Sequence, residues 1–538
     1  MSVTIDVVTG TSSPVRRLAP HLLGPRLPPL ATLWSINGRR ALSAGFCLTV
    51  PLAVGLALGH PGPASAASLG GGFTAVYGHS LPYRRRAGVS AGVALGIVAS
   101  IGLGGLSGGH PALLAVVLGT VAAAAAAATA VWRIGPPGAL PPVLVGGSAS
   151  ALGNAPEVVA QHVGAAAAGA ALSWVVVMLA WLWDPAGPER RAVRAADAAV
   201  RGLESAAGTG TRPDGTARAV RMAVAAVAVG SRRRPPLEPQ LAEIEHRFFA
   251  ALPPVAPAAP PTAPPATPPA TPPTGALPPL PPSAHRRRTP LWTATAARTG
   301  IGVAAAGLVA AAVGLPAPYW AVTSAVAVLL GTDARHTRAR AVHRVTGTVL
   351  GTLVAGAVFA ADPPTPVTVA LVAALLVAVE VFITHQYVIA VACLTPVSLL
   401  LVHLGAPGRP GTALIAARLE ETLVGIAVAL LAGLLLFARA GSRRLPASAR
   451  SALIATLAAA RAPAGSAADA ALRDALLVQH EVALVARAEL FSAPGADDER
   501  RRSRQVADLG WGLLGARART DGELAGALAG RIERDLGC

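Results

Sequence analysis

The chain has 538 residues, of which 53% are hydrophobic, 13% charged and 4% aromatic. A soluble domain carries about 25% charged residues, so a chain this apolar, with a mean hydropathy of +0.54, reads as a multi-span membrane protein with soluble parts attached. The formal net charge is +18 and all 45 basic residues are arginine, which excludes a Walker A motif and a Schiff-base lysine.

So large a positive charge first suggests nucleic acid, but the arginines cluster beside apolar segments, the distribution that the positive-inside rule produces. Nucleic acid is therefore not an expected partner; membrane lipid is. Cys47 and Cys393 lie inside apolar segments and Cys538 ends the chain. No CxxC spacing supports a zinc knuckle or a disulfide framework. No metal, cofactor or catalytic group is expected, and an enzyme is not.

Residues 1–38 are polar, contain proline and arginine, and read as a cytoplasmic tail. A first membrane repeat, 39–184, offers apolar segments at 41–59, 64–80, 87–106, 111–131, 138–154 and 160–183. Segments 64–80 and 138–154 are rich in Gly and Ser and poor in large apolar residues. Residues 185–252 have helical periodicity with charges of both signs and read as a cytoplasmic helical region. Residues 253–290 repeat Pro-Pro-Ala-Thr units, which favour extended polyproline II and a semi-rigid linker. A second repeat, 291–440, offers segments at 293–314, 317–332, 341–361, 366–385, 387–405 and 412–438. Residues 441–538 form an amphipathic C-terminal helical domain, with apolar residues at three-to-four spacing from Ala470 onward.

Arginines sort these turns. Arg39 and Arg40, Arg84–Arg86, Arg133 and Arg190–Arg194 fall on alternate turns of the first half, and Arg286–Arg288, Arg335–Arg344 and Arg439–Arg444 on those of the second. Only Arg409 falls on an outer turn. The expected topology is an all-α membrane protein of about twelve transmembrane helices, with both termini on the cytoplasmic side of the plasma (inner) membrane. The string from Ser90 through Gly92 to Gly96 is matched 255 residues later by Val345 through Gly347 to Gly351. Six spans per half is an even number, so the halves are expected as two parallel repeats. Gly92/Gly96 and Gly347/Gly351 are GxxxG pairs that let helices approach closely; they are expected to pack the halves together, and such faces also serve a homo-oligomer.

The run Pro318-Tyr319-Trp320-Ala321-Val322-Thr323, then an arginine-rich turn and Arg344-Val-Thr-Gly347, resembles the fusaric acid resistance-like (FUSC) family. Tyr387, Thr395-Pro396 and Arg418-Leu-Glu-Glu421-Thr422 resemble its later motifs. The resemblance is clear over 293–440 and weak over 41–184. It implies proton-driven or passive export of small organic anions, aromatic carboxylates in particular, through a membrane shared with related anion channels. The stretch Leu330-Gly331-Thr332-Asp333 departs from the family pattern. The first half has no counterpart of Arg418; His162 stands near that position.

Arg418 and Glu421 lie three apart on one helix face and so can pair. Ionisable groups within a membrane usually face a bundle interior or a watery cavity. Arg418 is a candidate for attracting a carboxylate, with Glu421 as competitor or proton carrier; the alternative places both in the outer headgroup zone. Glu380 is either a proton-coupling carboxylate or an interfacial side chain reaching water. Tyr319 and Trp320 suit an aromatic belt or the stacking of an aromatic ligand. Arg338, Arg340 and Arg344 are topology signals and candidates for an inner vestibule that concentrates anions. A passive anion channel and a non-transporting membrane scaffold are the competing readings.

Overall fold

A computed structural model describes residues 28–206, 212–230, 237–252, 291–330, 334–406, 408, 410–436, 439–489, 495–519 and 521–536. The expected Pro-rich linker, most of the N-terminal tail and Arg409 lie outside the described residues. Among the described residues the chain forms helices and no strand. It divides into two compact units, one of residues 1–79, 87–179 and 295–436, the other of residues 80–86, 180–294 and 437–538.

The first unit is built from α1 (Leu30–Ala57), α2 (Pro61–Ala75), α3 (Tyr83–Ser107), α4 (Pro111–Val131), α5 (Leu140–Ala149), α6 (Pro156–Leu179), α10 (Leu291–Ala312), α11 (Tyr319–Leu329), α12 (Ala334–Ala361), α13 (Thr365–Phe382), α14 (Tyr387–Gly405) and α15 (Gly411–Leu435). Proline opens α2, α4 and α6, where its missing N–H costs no helical hydrogen bond. Helix α1 starts at Leu30 rather than 41, so Leu30 to Gly38 are helical rather than part of a tail.

Among the described residues eight helices are long and apolar enough to cross a membrane: α1, α3, α4, α6, α10, α12, α13 and α14. The other four expected spans differ for two reasons. Segments 64–80, 138–154 and 317–332 form α2, α5 and α11, of 15, 10 and 11 residues. At 1.5 Å per residue the two shortest reach roughly 15–17 Å, about half of a hydrocarbon core of about 30 Å. Segment 412–438 forms α15, which is long enough but carries Arg418, Glu420 and Glu421 within one turn. Every residue of α11 is buried, as is all of α5 except Pro142. A short helix sheathed in protein has no lipid-facing backbone to satisfy.

The helices of the first unit pack in matched pairs. Helix α2 lies on α6, and α11 on α15; α1 lies on α13; α14 touches α2, and α5 touches α11. Helices α4 and α10 meet through Gly119, Gly300 and Gly307, each against a small residue or backbone of the facing helix. Several contacts are close enough to demand glycine, among them these: a Cβ on Gly169 of α6 would overlap the Ala67 carbonyl of α2, and one on Gly425 of α15 would overlap the Ala321 carbonyl of α11.

The expected GxxxG seam is corrected by these contacts. Gly347 and Gly351 of α12 face α14 in their own half, against Val391, Thr395 and Pro396. Gly92 and Gly96 of α3 have nothing within 4 Å of a built Cβ. The GxxxG spacing only supplies a small face; it does not choose the neighbour.

The second unit contains α7 (Gly187–Ser205), α8 (Asp214–Val229), α9 (Glu238–Ala250), α16 (Leu445–Arg461), α17 (Ala467–Ala488), α18 (Ala496–Ala518) and α19 (Gly522–Leu536). Its helices are amphipathic, and one core joins the segment between the membrane halves to the C-terminal segment. Val193, Val200, Ile244 and Phe248 are buried with Leu472, Leu476, Leu513 and Ile532. Phe248 meets Trp511 edge-on at 5.9 Å between centroids. Around this core Arg247 forks onto Glu204 at 2.7 and 3.0 Å and reaches Asp197 at 2.9 Å. The fork holds the Glu204 carboxyl below the usual carboxylate range, chiefly through its hydrogen bonds.

Candidate functional site

Helix α11 brings Tyr319 and Trp320 inside the first unit at its first turn, where both are buried and their rings lie 4.7 Å apart. Helix α15 packs along α11 and sets the Arg418 guanidinium over the Trp320 ring, 4.1 Å from its centroid. Glu421, one turn further along α15, is fully buried. Its Oε1 accepts a hydrogen bond from the Ala317 backbone N–H at 2.6 Å. A carboxylate there satisfies one of the orphan donors at the start of α11 and lies at the positive end of its dipole. The expected Arg418–Glu421 pair does not form among the described residues: the acid is turned to the backbone and the base to the indole. Glu421 Oε2 has no hydrogen-bond partner.

Helix α12 adds two more arginines. Arg340 is half-buried; its Nη1 donates to the Ala327 carbonyl at 3.3 Å, and its guanidinium lies 5.1 Å from the centroid of the Tyr387 ring, at the start of α14. Arg344, one turn later, is fully buried, and among the described residues none of its three guanidinium nitrogens has a hydrogen-bond partner. Arg344, Tyr319, Glu421 and Tyr387 all act electrostatically on Arg418. Nε and Nη1 of Arg418, Nε1 of Trp320 and the hydroxyl of Tyr387 are also buried without hydrogen-bond partners among the described residues.

The site is therefore dominated by donors. Guanidinium and indole N–H groups cannot accept, and a buried cation without a partner costs several kcal/mol. The group that would satisfy this arrangement is an anion with acceptor oxygens. Guanidinium forks suit a planar carboxylate, and the faces of Trp320 and Tyr319 offer an aromatic surface beside it.

Sequence reasoning read Arg344 as a topology signal and as a candidate for an inner vestibule; it is wholly buried and acts electrostatically on Arg418. The signal for this was its depth, since it is the arginine furthest into the apolar run of α12. The side chain of Arg338 lies outside the described residues. Tyr387, read only as part of a motif, contributes a ring and a hydroxyl. Glu380 is elsewhere engaged. It is buried on α13 and forms an ion pair with Arg40 of α1 at 2.7 Å, while Arg40 Nη2 donates to the Glu380 carbonyl at 3.1 Å. Asn37 of α1 donates to the Val381 carbonyl and to Thr384, both at 3.1 Å. Glu380 thus fastens α1 to α13.

Helices α2 and α6 meet with different residues. Gly62 is the second residue of α2, as Trp320 is of α11, and a Cβ on Gly62 would stand 2.7 Å from Nε2 of His162 on α6. At that contact a glycine lies beside a buried imidazole. Among the described residues no three His, Cys, Asp or Glu side chains come together in an arrangement that would hold a metal ion.

Comparison with known proteins converges on this region. Residues 304–432, which contain Tyr319, Trp320, Arg340, Arg344, Tyr387, Arg418 and Glu421, match the family model described as fusaric acid resistance protein-like. The chain is 27% identical over 467 residues to the Bacillus subtilis (strain 168) protein named "Uncharacterized membrane protein YvaC", covering 76% of this chain and 74% of that one. No solved structure matches. The chain is thus a membrane protein that resembles the fusaric acid resistance-like family through its second half and YvaC along most of its length.

Proposed function

We propose that the protein is a plasma-membrane transporter that exports small organic anions, aromatic carboxylates in particular, with the proton gradient as driving force. It acts by binding and moving its substrate, not as an enzyme. The observation that carries this reading is the buried pair Arg344 and Arg418, with most of their donors unsatisfied, beside the Trp320 ring. A structural role alone gives no reason to keep two such cations in an apolar interior.

The reading includes two six-helix parallel repeats, with α2, α5, α11 and α15 as the membrane-embedded helices that complete twelve, and both termini cytoplasmic. The matched packing of α2 on α6 with α11 on α15, and of α14 on α2 with α5 on α11, supports the duplication. So does the pairing of Gly169 with Ala67 and of Gly425 with Ala321. The arginine-bearing turns support the orientation.

One observation favours a passive channel. Of the two carboxylates weighed as proton carriers, Glu380 is held in an ion pair with Arg40, which leaves Glu421, through Oε2, as the one with a free oxygen. Flux of an aromatic carboxylate into or out of proteoliposomes, with and without an imposed pH gradient, tests both readings beside Arg418→Ala. Gradient-dependent flux lost in the variant supports the coupled exporter. Flux that follows only the anion's own gradient favours the channel, and equal flux in the variant removes Arg418 from the path.

A further inference from the structure

The second unit contains a cationic cleft that this transport reading does not use. It is a small, partly open cleft between the start of α8, helix α17 and helix α18. Arg212, Arg487, Arg500 and Arg504 line it, against one lining carboxylate, Asp214. Asp214 is itself engaged, with Nδ1 of His480 at 3.1 Å.

The neighbouring acids are largely committed elsewhere. Asp497, Asp498 and Glu499, in the first turn of α18, pair along their own helix with Arg500, Arg501 and Arg502. Asp474 and Glu481 face Arg221. Asp508 lies within electrostatic reach of Arg212 and Arg504. Among the described residues, Arg212, Arg487 and Arg504 are left without an ion pair. Arg487 is held below its ordinary value, by partial burial first and then by crowding from Arg212, Arg504 and Arg500.

A second, independent observation lies in the wall of the cleft. Gln479 is 1% exposed. Its Nε2 donates to the backbone carbonyl and the hydroxyl of Ser503 at 2.6 and 2.8 Å. Those two bonds fix the amide orientation and leave Oε1 buried without a donor.

We propose that this cleft binds a phosphate group and thereby ties α8, from the segment between the membrane halves, to α17 and α18 of the C-terminal segment. Guanidiniums arriving from three elements surround an anion with oxygens on several sides, which a phosphate has and a planar carboxylate lacks. A phosphate monoester carries about −1.5 to −2 charges at pH 7, closer than one carboxylate to the excess in the cleft. Its protonated oxygen, or a hydroxyl of its ester, supplies the donor that Gln479 Oε1 lacks. The phosphate comes either from a soluble ester or from the headgroup of an anionic lipid.

The test is calorimetric titration of the full-length protein in detergent with inorganic phosphate, pyrophosphate and benzoate. A parallel arm uses nanodiscs of phosphatidylcholine with and without phosphatidic acid, reading hydrogen exchange at residues 212–220 and 479–487. Saturable phosphate or pyrophosphate binding that falls about tenfold or more in Arg487→Ala/Arg504→Ala is expected, since each lost charge-assisted bond is worth about that factor. Arg501→Ala/Arg502→Ala removes the same charge from an outward-facing turn and is expected to change affinity less than about twofold. Binding in detergent assigns a soluble ester; protection only in phosphatidic-acid nanodiscs assigns the lipid headgroup. Equal losses in the two double variants, benzoate binding as tight as phosphate with the same sensitivity, or no saturable response to any probe would overturn the proposal.

Discussion

Replacing Arg344 with methionine separates an anion site from a structural arginine, because the two assign opposite signs to its stability effect. Arg344 is 0% exposed, its three guanidinium nitrogens lack partners, and the like charge of Arg418 is close enough to act on it. Removing one partner from a satisfied buried ion pair costs about 3–5 kcal/mol, whereas replacing an unsatisfied buried ion by an apolar side chain of similar volume is often neutral or stabilising by about 1–4 kcal/mol. Arg344→Met is therefore expected to raise the apparent stability of the empty protein by an amount in that second range. The measurement is loss of monodisperse protein on heating in detergent, with and without an aromatic carboxylate. In the unsubstituted chain, anion at about 100 times its Kd adds about 2.7 kcal/mol to the bound state; in the variant this addition disappears. A variant destabilised in the empty state that still gains stability from the anion would refute the reasoning.

Other substitutions divide in the same way. Glu421→Gln keeps an acceptor for the Ala317 N–H and removes the ionisable group, so anion flux persists while its dependence on an imposed pH gradient is lost. Glu380→Gln leaves the partly buried Arg40 without its counter-charge and is expected to cost about 1.5–3 kcal/mol in detergent melting, with the gradient dependence of the surviving protein unchanged. Gly425→Ala drives a Cβ into the Ala321 carbonyl, and overpacking of this kind costs about 1–3 kcal/mol. Gly92→Ala meets open space and gains up to about 1 kcal/mol of helix propensity, so the two melt in opposite directions from the parent. In the second unit, Glu204 has a depressed carboxyl pKa. Its contribution is present above the unfolded value of about 4.3 and is lost as pH falls through the lower folded value. Hydrogen exchange at α7 and α9 is thus faster in Glu204→Gln than in the parent at pH 7, and the difference closes below about pH 4.

What the sequence reveals and what it hides have a common cause. Segments 111–131 and 387–405 coincide with α4 and α14 to the residue, because Pro111 and the polar His385-Gln386 turn bound unbroken apolar runs. Segment 317–332 is equally apolar and forms only the eleven-residue α11. Hydropathy measures how well a segment avoids water and does not distinguish lipid from a sheath of other helices. The same limit applies to charge. Arg418 and Glu421 were legible as a pair because they are three apart, but their actual partners, Trp320 and Ala317, lie about a hundred residues away. Local spacing gives the face a side chain shares, and packing decides what stands opposite. Arg344 shows the reverse error: an arginine in a basic turn reads as a topology signal until the helix is seen to carry it inside.

The proposed duplication explains why the chemistry is concentrated in one half. Gly169 and Gly425 hold the same backbone approach in the two halves, against Ala67 and Ala321, so the frame around the start of α2 and the start of α11 is alike. Within it, the first half places Gly62 beside His162, and the second places Trp320 under Arg418 with Arg344 nearby. Two copies of the arginine cluster in one apolar interior would double a desolvation cost of several kcal/mol per ion without a second anion to offset it. A single imidazole with a glycine beside it keeps the helix contact at far lower cost. The glycine and the histidine thus let one half serve as scaffold while the other keeps the unsatisfied donors that an anion would fill.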